Sequence, residues 1–191
     1  MAVISIVGTS GVGKSFLVKQ LASMECLPAF FEGEEGTIPG EIFEDVFTKG
    51  DPLNRGRWFL AKYKLMLERA RRISNSGIDC YLDVAAISPK AIIVDEDKTH
   101  DSLMKMIEEA SLIQSDKVVL LTANKESLKN MIARRARESE DTPNALARAI
   151  RVQNEFIRLS EKDKNTITID RSNLDFSKEA DLRSVLARIR D

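Results

Sequence analysis

Two cysteines in 191 residues are too few for a disulfide framework, and Cys26 and Cys80 have no metal-ligand spacing. Both sit among apolar neighbours and are expected to be small core residues in a reducing compartment. The single histidine, His100, follows the charged run 95–98 and reads as a surface residue. A Ser-His-Asp or histidine-metal mechanism therefore has little support. An excess of one charge is also missing. With 29 Lys and Arg against 30 Asp and Glu the net charge is −1, so no overall basic field draws in nucleic acid. No apolar run approaches the ~20 residues of a membrane span, and no basic leader precedes the first apolar segment. These absences together lead us to expect a cytoplasmic protein with no nucleic acid and no membrane as partner. There is no internal repeat, no low-complexity linker and no G-x-G-x-x-G fingerprint for a nicotinamide cofactor.

What is present fits one globular domain over residues 1–191, with 43% apolar and 31% charged residues. Its most informative stretch is Gly8-Thr9-Ser10-Gly11-Val12-Gly13-Lys14-Ser15, a complete G-x-x-x-x-G-K-[ST] phosphate loop. Ala2 to Val7 before it is apolar and β-branched and reads as a buried strand. Ser15 to Met24 after it places Phe16, Leu17, Leu21 and Met24 at helical spacing. Strand, glycine loop and helix are the context this motif requires. Glycines let successive backbone N–H groups converge on one anion, and the helix N-terminus adds partial positive charge. In that arrangement Lys14 reaches the β- and γ-phosphates and the Ser15 hydroxyl ligates Mg²⁺. The expected cofactors are ATP and Mg²⁺.

Four more strands are expected at Pro28–Phe31, Ile78–Asp83, Lys117–Thr122 and Thr166–Asp170. Asp51-Pro52 is a cap followed by proline, and it opens a long helix reaching Arg72 or beyond. Asn75-Ser76-Gly77 is a helix stop. Asn124 caps a helix through Arg137, Thr142-Pro143 opens one to about Glu161, and Ser177 caps a last helix whose buried face is Leu182, Val185, Leu186 and Ile189. Short apolar strands alternating with helices imply a parallel α/β sheet of five strands covered on both faces. Ligands then bind beyond the carboxyl ends of the strands.

Several residues could carry chemistry there. Asp83 closes the third strand, where a carboxylate could hold Mg²⁺ directly or through water, or simply cap the next turn. Glu32 closes the second strand and could accept the proton of an attacking hydroxyl. Together with Glu34 and Glu35 it could equally be part of a solvated acidic loop. Arg134, Arg135 and Arg137 precede Glu138-Ser139-Glu140-Asp141. They suit a helix C-terminus electrostatically, or a lid at about 134–143 whose guanidinium forks stabilise a transferring phosphoryl group. Trp58, beside Arg55 and Arg57, could line an acceptor pocket or sit in the core.

These residues taken in order resemble the deoxynucleoside kinases, a branch of the phosphate-loop kinases near the thymidylate kinases. The resemblance rests on Gly8 to Ser15, Asn54-Arg55-Gly56-Arg57-Trp58, Tyr81-Leu82-Asp83 and Arg134-Arg135-Ala136-Arg137, the last like that family's R-x-R lid. It ends at Asp170 to Phe176, similar to the loop that packs on adenine. It implies a three-layer α/β/α kinase fold, nucleotide contacts from Arg135, Asn173, Asp175 and Phe176, and a dimer through the long helix near Asp51. The chain departs from the pattern on the acceptor side. Asp83-Val84-Ala85 stands where the family has an acid, an arginine and a serine. Tyr63, Pro89 and Ile93 fall near the positions that read and stack the acceptor base.

The expected activity is ATP- and Mg²⁺-dependent phosphoryl transfer to a small hydroxyl or phosphate acceptor, a nucleoside or nucleoside monophosphate first. In that reading Lys14, Asp83, Glu32, Arg135 and Arg137 carry catalysis. A kinase of a non-nucleoside metabolite and a nucleotide-dependent regulatory protein are the alternatives.

Overall fold

The computed structural model describes residues 1–33, 51–95, 98–135, 144–161 and 163–191. In chain order the elements are β1 (Val3–Val7), α1 (Lys14–Glu25), β2 (Ala29–Phe30), α2 (Pro52–Asn75), β3 (Cys80–Leu82), α3 (Ser88–Ile92) with a 3₁₀ turn at Ile93–Asp95, α4 (His100–Ala110), β4 (Lys117–Thr122), α5 (Lys125–Arg135), α6 (Ala145–Ser160), β5 (Thr166–Asp170) and α7 (Glu179–Arg190). The five strands form one sheet in the order β2-β3-β1-β4-β5. Every pairing is parallel, with Ile4 opposite Tyr81 on one side and Ile6 opposite Val119 on the other. The chain winds from β1 toward one edge and then returns to build the other. The strand order therefore reverses at β1, and the loop leaving β1 opens into the crevice where such sheets bind ligands.

The central strands β1, β3 and β4 are mainly apolar because both of their faces are covered. Ile4 and Ile6 pack with Leu17, Leu21, Val119, Leu121, Phe176 and Val185 beneath α1 and α7. Val3 points the other way, into a cluster with Tyr63, Met66, Leu67 and Leu103 from α2 and α4. Val7, Val118 and Leu120 meet Val152 and Phe156 of α6. At about 25 cal/mol per Å² of apolar surface removed from water, this two-sided burial is the dominant favourable term in the fold. The amino-terminal end of the sheet is held by charge. Arg190 on α7 reaches Glu25 at 2.8 Å and Asp79 at 2.6 Å, and Asp79 accepts from the Ala2 N–H at 2.7 Å.

Local signals place some of the helix ends. Asp51 caps α2 by accepting from the Leu53 and Asn54 N–H groups, with Pro52 opening the helix. Gly77 at φ 93 ends the turn after it. Asn124 accepts from the Ser127 N–H at 2.8 Å and so caps α5. Two expectations need correction, and two further features were not foreseen. Ser177 does not cap α7: its N–H and hydroxyl both donate to Asp175, and the helix starts after Lys178. Cys26 is not a core residue but an exposed one, ending α1 in a left-handed conformation, whereas Cys80 is buried. Phe16 and Met24 stand off the buried face of α1, which is formed by Leu17, Val18, Leu21 and Ala22. The segment between β3 and β4 carries α3 and α4, which the sequence reading did not separate. No helix among the described residues is long and apolar enough to cross a membrane.

Candidate functional site

β1 ends at Val7, and the phosphate loop follows at once. Gly8, Gly11 and Gly13 have φ of 145, 83 and 93, all in the region where side chains are strained. Gly8 is also required by space, because a Cβ there would lie 2.6 Å from the Leu121 carbonyl oxygen on β4. Thr9 and Val12 are buried and anchor the loop on the sheet, while Ser10 stays exposed at its tip. Gly13 is the N-cap of α1 and supplies no side-chain cap, so the first N–H groups of the helix remain for a ligand. Lys14 folds toward the loop, with Nζ 3.1 Å from the Thr9 carbonyl oxygen.

The neighbouring strand end completes the cluster. Asp83 directly follows β3 and is 3% exposed. Ser15 Oγ donates to its Oδ2 at 2.5 Å. The Glu32 N–H donates to its Oδ1 at 2.7 Å. Glu32 in turn accepts the Tyr63 hydroxyl from α2 at 2.7 Å. A continuous relay thus joins Ser15, Asp83, Glu32 and Tyr63 across the carboxyl ends of β1, β3 and β2. Tyr63 is buried, and burial foremost, with the Glu32 charge second, raises its phenol well above the ordinary range. It is a neutral donor that fixes the Glu32 carboxylate.

This donor set suits a hard divalent cation. Mg²⁺ takes one or two protein oxygens and fills its remaining positions with water and phosphate. Ser15 Oγ and Asp83 Oδ2 supply one hydroxyl and one carboxylate already in contact. Among the described residues no group of three His, Cys, Asp or Glu side chains stands ready to hold a metal by itself.

The other expected residues divide. Asn173 and Asp175 lie exposed on the loop between β5 and α7. Phe176 corrects an expectation: it is fully buried in the core, so its ring is closed to a ligand and instead carries Arg171, whose guanidinium lies 4.4 Å over it. Arg134 is exposed in the last turn of α5, Arg135 ends that helix, and Arg137 and the lid beyond 135 lie outside the described residues, as do Glu34 and Glu35. Trp58 is half-buried, with the Lys62 ammonium 4.8 Å over its ring. Val84 and Ala85 are each 1% exposed, and Tyr63, Pro89 and Ile93 are buried too. Sequence reasoning missed two partnerships. Tyr63 belongs to the Glu32 relay, and only tertiary contact reveals it. Arg171 follows the last residue of β5, a position at a strand's carboxyl end that could have flagged it.

No protein-family model matches the chain, and no curated protein matches its sequence. Solved structures do match in shape. Deoxyadenosine kinase from M. mycoides, in a structure with bound dATP, is 17% identical, with 100% of each chain covered and a TM-score of 0.78. Thymidylate kinase from Candida albicans is 15% identical, covering 99% of this chain and 91% of that one, with a TM-score of 0.73. Thymidylate kinase from Ehrlichia chaffeensis is 15% identical over 96% of both chains, with a TM-score of 0.64. The chain thus has the three-layer α/β/α fold of the phosphate-loop nucleoside and nucleotide kinases, which is the fold its sequence resemblance implied.

Proposed function

We propose that the chain is a phosphotransferase, one domain over residues 1–191, that moves the terminal phosphoryl group of ATP to a nucleoside or nucleoside monophosphate. The observation that carries this reading is the relay of Ser15, Asp83, Glu32 and Tyr63 beside the phosphate loop. It supports a reading in which Ser15 and Asp83 would hold a metal beside the Glu32 carboxylate. The fold is shared with deoxyadenosine and thymidylate kinases, which supports the same acceptor class.

In this reading the loop from Gly8 to Ser15 cradles the phosphates and Lys14 turns from the Thr9 carbonyl onto them. Ser15 and Asp83 would hold Mg²⁺, which neutralises phosphate charge when bound. Glu32 accepts the proton of the acceptor hydroxyl, or orients it, with Tyr63 holding its other oxygen. For a monophosphate acceptor the attacking group is already ionised, and Glu32 then positions rather than deprotonates. Arg135 and Arg137 close over the transferring group as a lid at about 134–143, and the loop from Asp170 to Phe176, through Asn173 and Asp175, borders the base. Catalysis is positioning plus electrostatics. The protein acts in the cytoplasm, and α2 forms the face of a homodimer.

The test is ADP release with ATP and Mg²⁺ against a panel of deoxynucleosides, ribonucleosides, their monophosphates and sugars, with products identified by mass spectrometry. Phosphorylated nucleoside or nucleotide is expected. A sugar or metabolite product alone moves the chain to the second reading, a kinase of another acceptor. One observation favours that reading: the Tyr63 hydroxyl is spent on Glu32, and the side chains of Val84 and Ala85 have no polar atom to offer a base. ATP binding with no product from any acceptor would leave a nucleotide-dependent regulatory protein.

A further inference from the structure

Arg171 stands apart from the relay, at the seam between the phosphate loop and the loop that follows β5. Its backbone is fixed there, the N–H donating to the Thr122 carbonyl at 2.8 Å. Its Nη1 donates to the Val12 carbonyl oxygen inside the phosphate loop. The guanidinium fills the space that a side chain at Gly13 would need: a Cβ there would meet Nη1 at 1.7 Å. Phe176 supports the opposite side as a cation–π floor at 4.4 Å.

This cation is poorly compensated. A guanidinium has five N–H donors, yet among the described residues the Val12 carbonyl is its one acceptor, and the buried Nε has none. The two nearest carboxylates in sequence are engaged elsewhere. Asp170 accepts the Ser172 N–H at 2.8 Å and its hydroxyl at 2.6 Å. Asp175 accepts the Ser177 N–H at 3.0 Å and its hydroxyl at 2.7 Å. Neither bonds to Arg171. Burial also lowers the Arg171 pKa, with Asp175 opposing only through space. The positive end of α1 lies beside it, with no acidic residue in the first turn of that helix. A half-buried cation next to a helix N-terminus, with spare donors and no carboxylate, lacks an anion.

We propose that Arg171 is a nucleotide-binding residue, a second cation of the phosphate site alongside Lys14, which takes the polyphosphate chain of the bound nucleotide. It has two connected effects. Its bond to Val12 holds the Val12-Gly13 segment in the shape that presents the N–H groups of α1. Its remaining donors face an anion whose charge offsets the desolvation of the guanidinium. The inference rests on the nucleotide-binding half of the proposed function and is independent of phosphoryl transfer and of the acceptor.

The experiment is calorimetric titration of wild type, Arg171→Met and Arg171→Lys with three probes: tripolyphosphate, ATP with Mg²⁺, and adenosine. Folding of each variant is checked by circular dichroism. Loss of a charge-assisted contact is expected to weaken tripolyphosphate and ATP by ~10-fold or more in Arg171→Met, and less in Arg171→Lys, which keeps the charge but not the fork. Adenosine binding should be unchanged, since it carries no phosphate. Unchanged tripolyphosphate affinity in Arg171→Met overturns the inference, and so does an equal loss for adenosine, which would mark collapse of the loop. An Arg171→Met chain that does not fold would show a structural strut and overturn it as well. A wild type that binds neither phosphate probe removes the phosphate-site reading itself. A wild type that binds ATP but transfers nothing removes only the kinase reading and leaves Arg171 in place.

Discussion

Ser15 Oγ and Asp83 Oδ2 lie 2.5 Å apart, one at the start of α1 and the other just past β3, 68 residues away in sequence. Asp83 is almost fully buried, and its two oxygens are taken by the Ser15 hydroxyl and the Glu32 N–H. Both of these donors are neutral, a hydroxyl and a backbone amide, whereas a buried carboxylate is best compensated by a cation. A divalent ion displacing the Ser15 hydrogen would supply it. Asp83→Asn keeps the shape and removes the charge. It is expected to lower kcat by ~10²-fold or more, as for loss of a catalytic electrostatic group. Turnover titrated with Mg²⁺ should also show a rightward shift. Wild-type turnover with an unshifted Mg²⁺ curve would return Asp83 to an ordinary strand-end cap.

Lys14→Ala should abolish turnover while the fold survives. Lys14 is bonded to a loop carbonyl at 3.1 Å, and it stands at the N-terminus of α1 rather than in the apolar core. Melting should therefore change little, and steady-state kinetics should show the loss. An unchanged kcat in the folded variant contradicts the phosphate-loop assignment.

The lid expectation concerns Arg135 and Arg137. Replacing either with Ala should lower kcat by ~10²-fold or more, with a smaller effect on ATP affinity, because charge spreads over the phosphoryl oxygens only in the transition state. Kinetics at saturating ATP separate the two effects. Wild-type kcat in both variants would leave these arginines as partners of a helix C-terminus.

Much of this was legible because it is local. The phosphate loop is eight contiguous residues, its flanks have opposite periodicities, and the Asp51-Pro52 and Asn124 caps act within one turn. The central strands β1, β3 and β4 were readable because two-sided burial makes them mainly apolar runs such as Val118 to Leu121, whereas the edge strand β5 shows itself by alternation of Thr and Ile. What was hidden depends on contacts distant in sequence. Nothing near Tyr63 says that its hydroxyl will meet Glu32, 31 residues away. Phe176 sits in a loop yet belongs to the core, because Arg171 and α7 close over it. Ser177 matches a cap by residue type, but Asp175 competes for both of its donors. Cys26 is apolar in context, but the left-handed turn that ends α1 turns it outward.

The two thiols should behave differently. Cys26 is exposed and should react quickly with an aromatic disulfide reagent in the native protein, whereas Cys80 should react only on unfolding. Burial raises the Cys80 thiol to about 11. An unfolded thiol titrates near ~8.5, so above that pH the unfolded chain releases a proton that the folded chain keeps. The folded state then binds more protons, and stability falls as pH rises, by about 1.4 kcal/mol per unit for this group, until the folded thiol ionises too. Chemical denaturation at pH 8, 9 and 10 should show this slope in wild type and a flatter one in Cys80→Ala. Equal slopes in the two proteins, or two fast-reacting thiols, would show that Cys80 is not held as described.

Tyr63→Phe tests the relay from its far end. The phenol is buried, donates to Glu32 at 2.7 Å and is held well above its ordinary range by burial and by the Glu32 charge. The Phe variant keeps the ring that packs with Phe59 and loses only the hydrogen bond. A bond to a charged acceptor is worth about 1.5–3 kcal/mol, so melting should fall modestly. If Glu32 handles the acceptor and the nucleotide binds at the phosphate loop as proposed, losing the anchor of Glu32 should lower kcat while the ATP KM stays near wild type. The pH dependence has a definite sign. A phenol whose folded pKa is raised supports the fold fully below ~10 and loses that support as pH climbs toward the folded value. Wild type should therefore lose stability above pH 10 more steeply than Tyr63→Phe. A variant with normal kcat and the same alkaline slope would mean that the Tyr63–Glu32 bond neither orients the carboxylate nor keeps the phenol protonated.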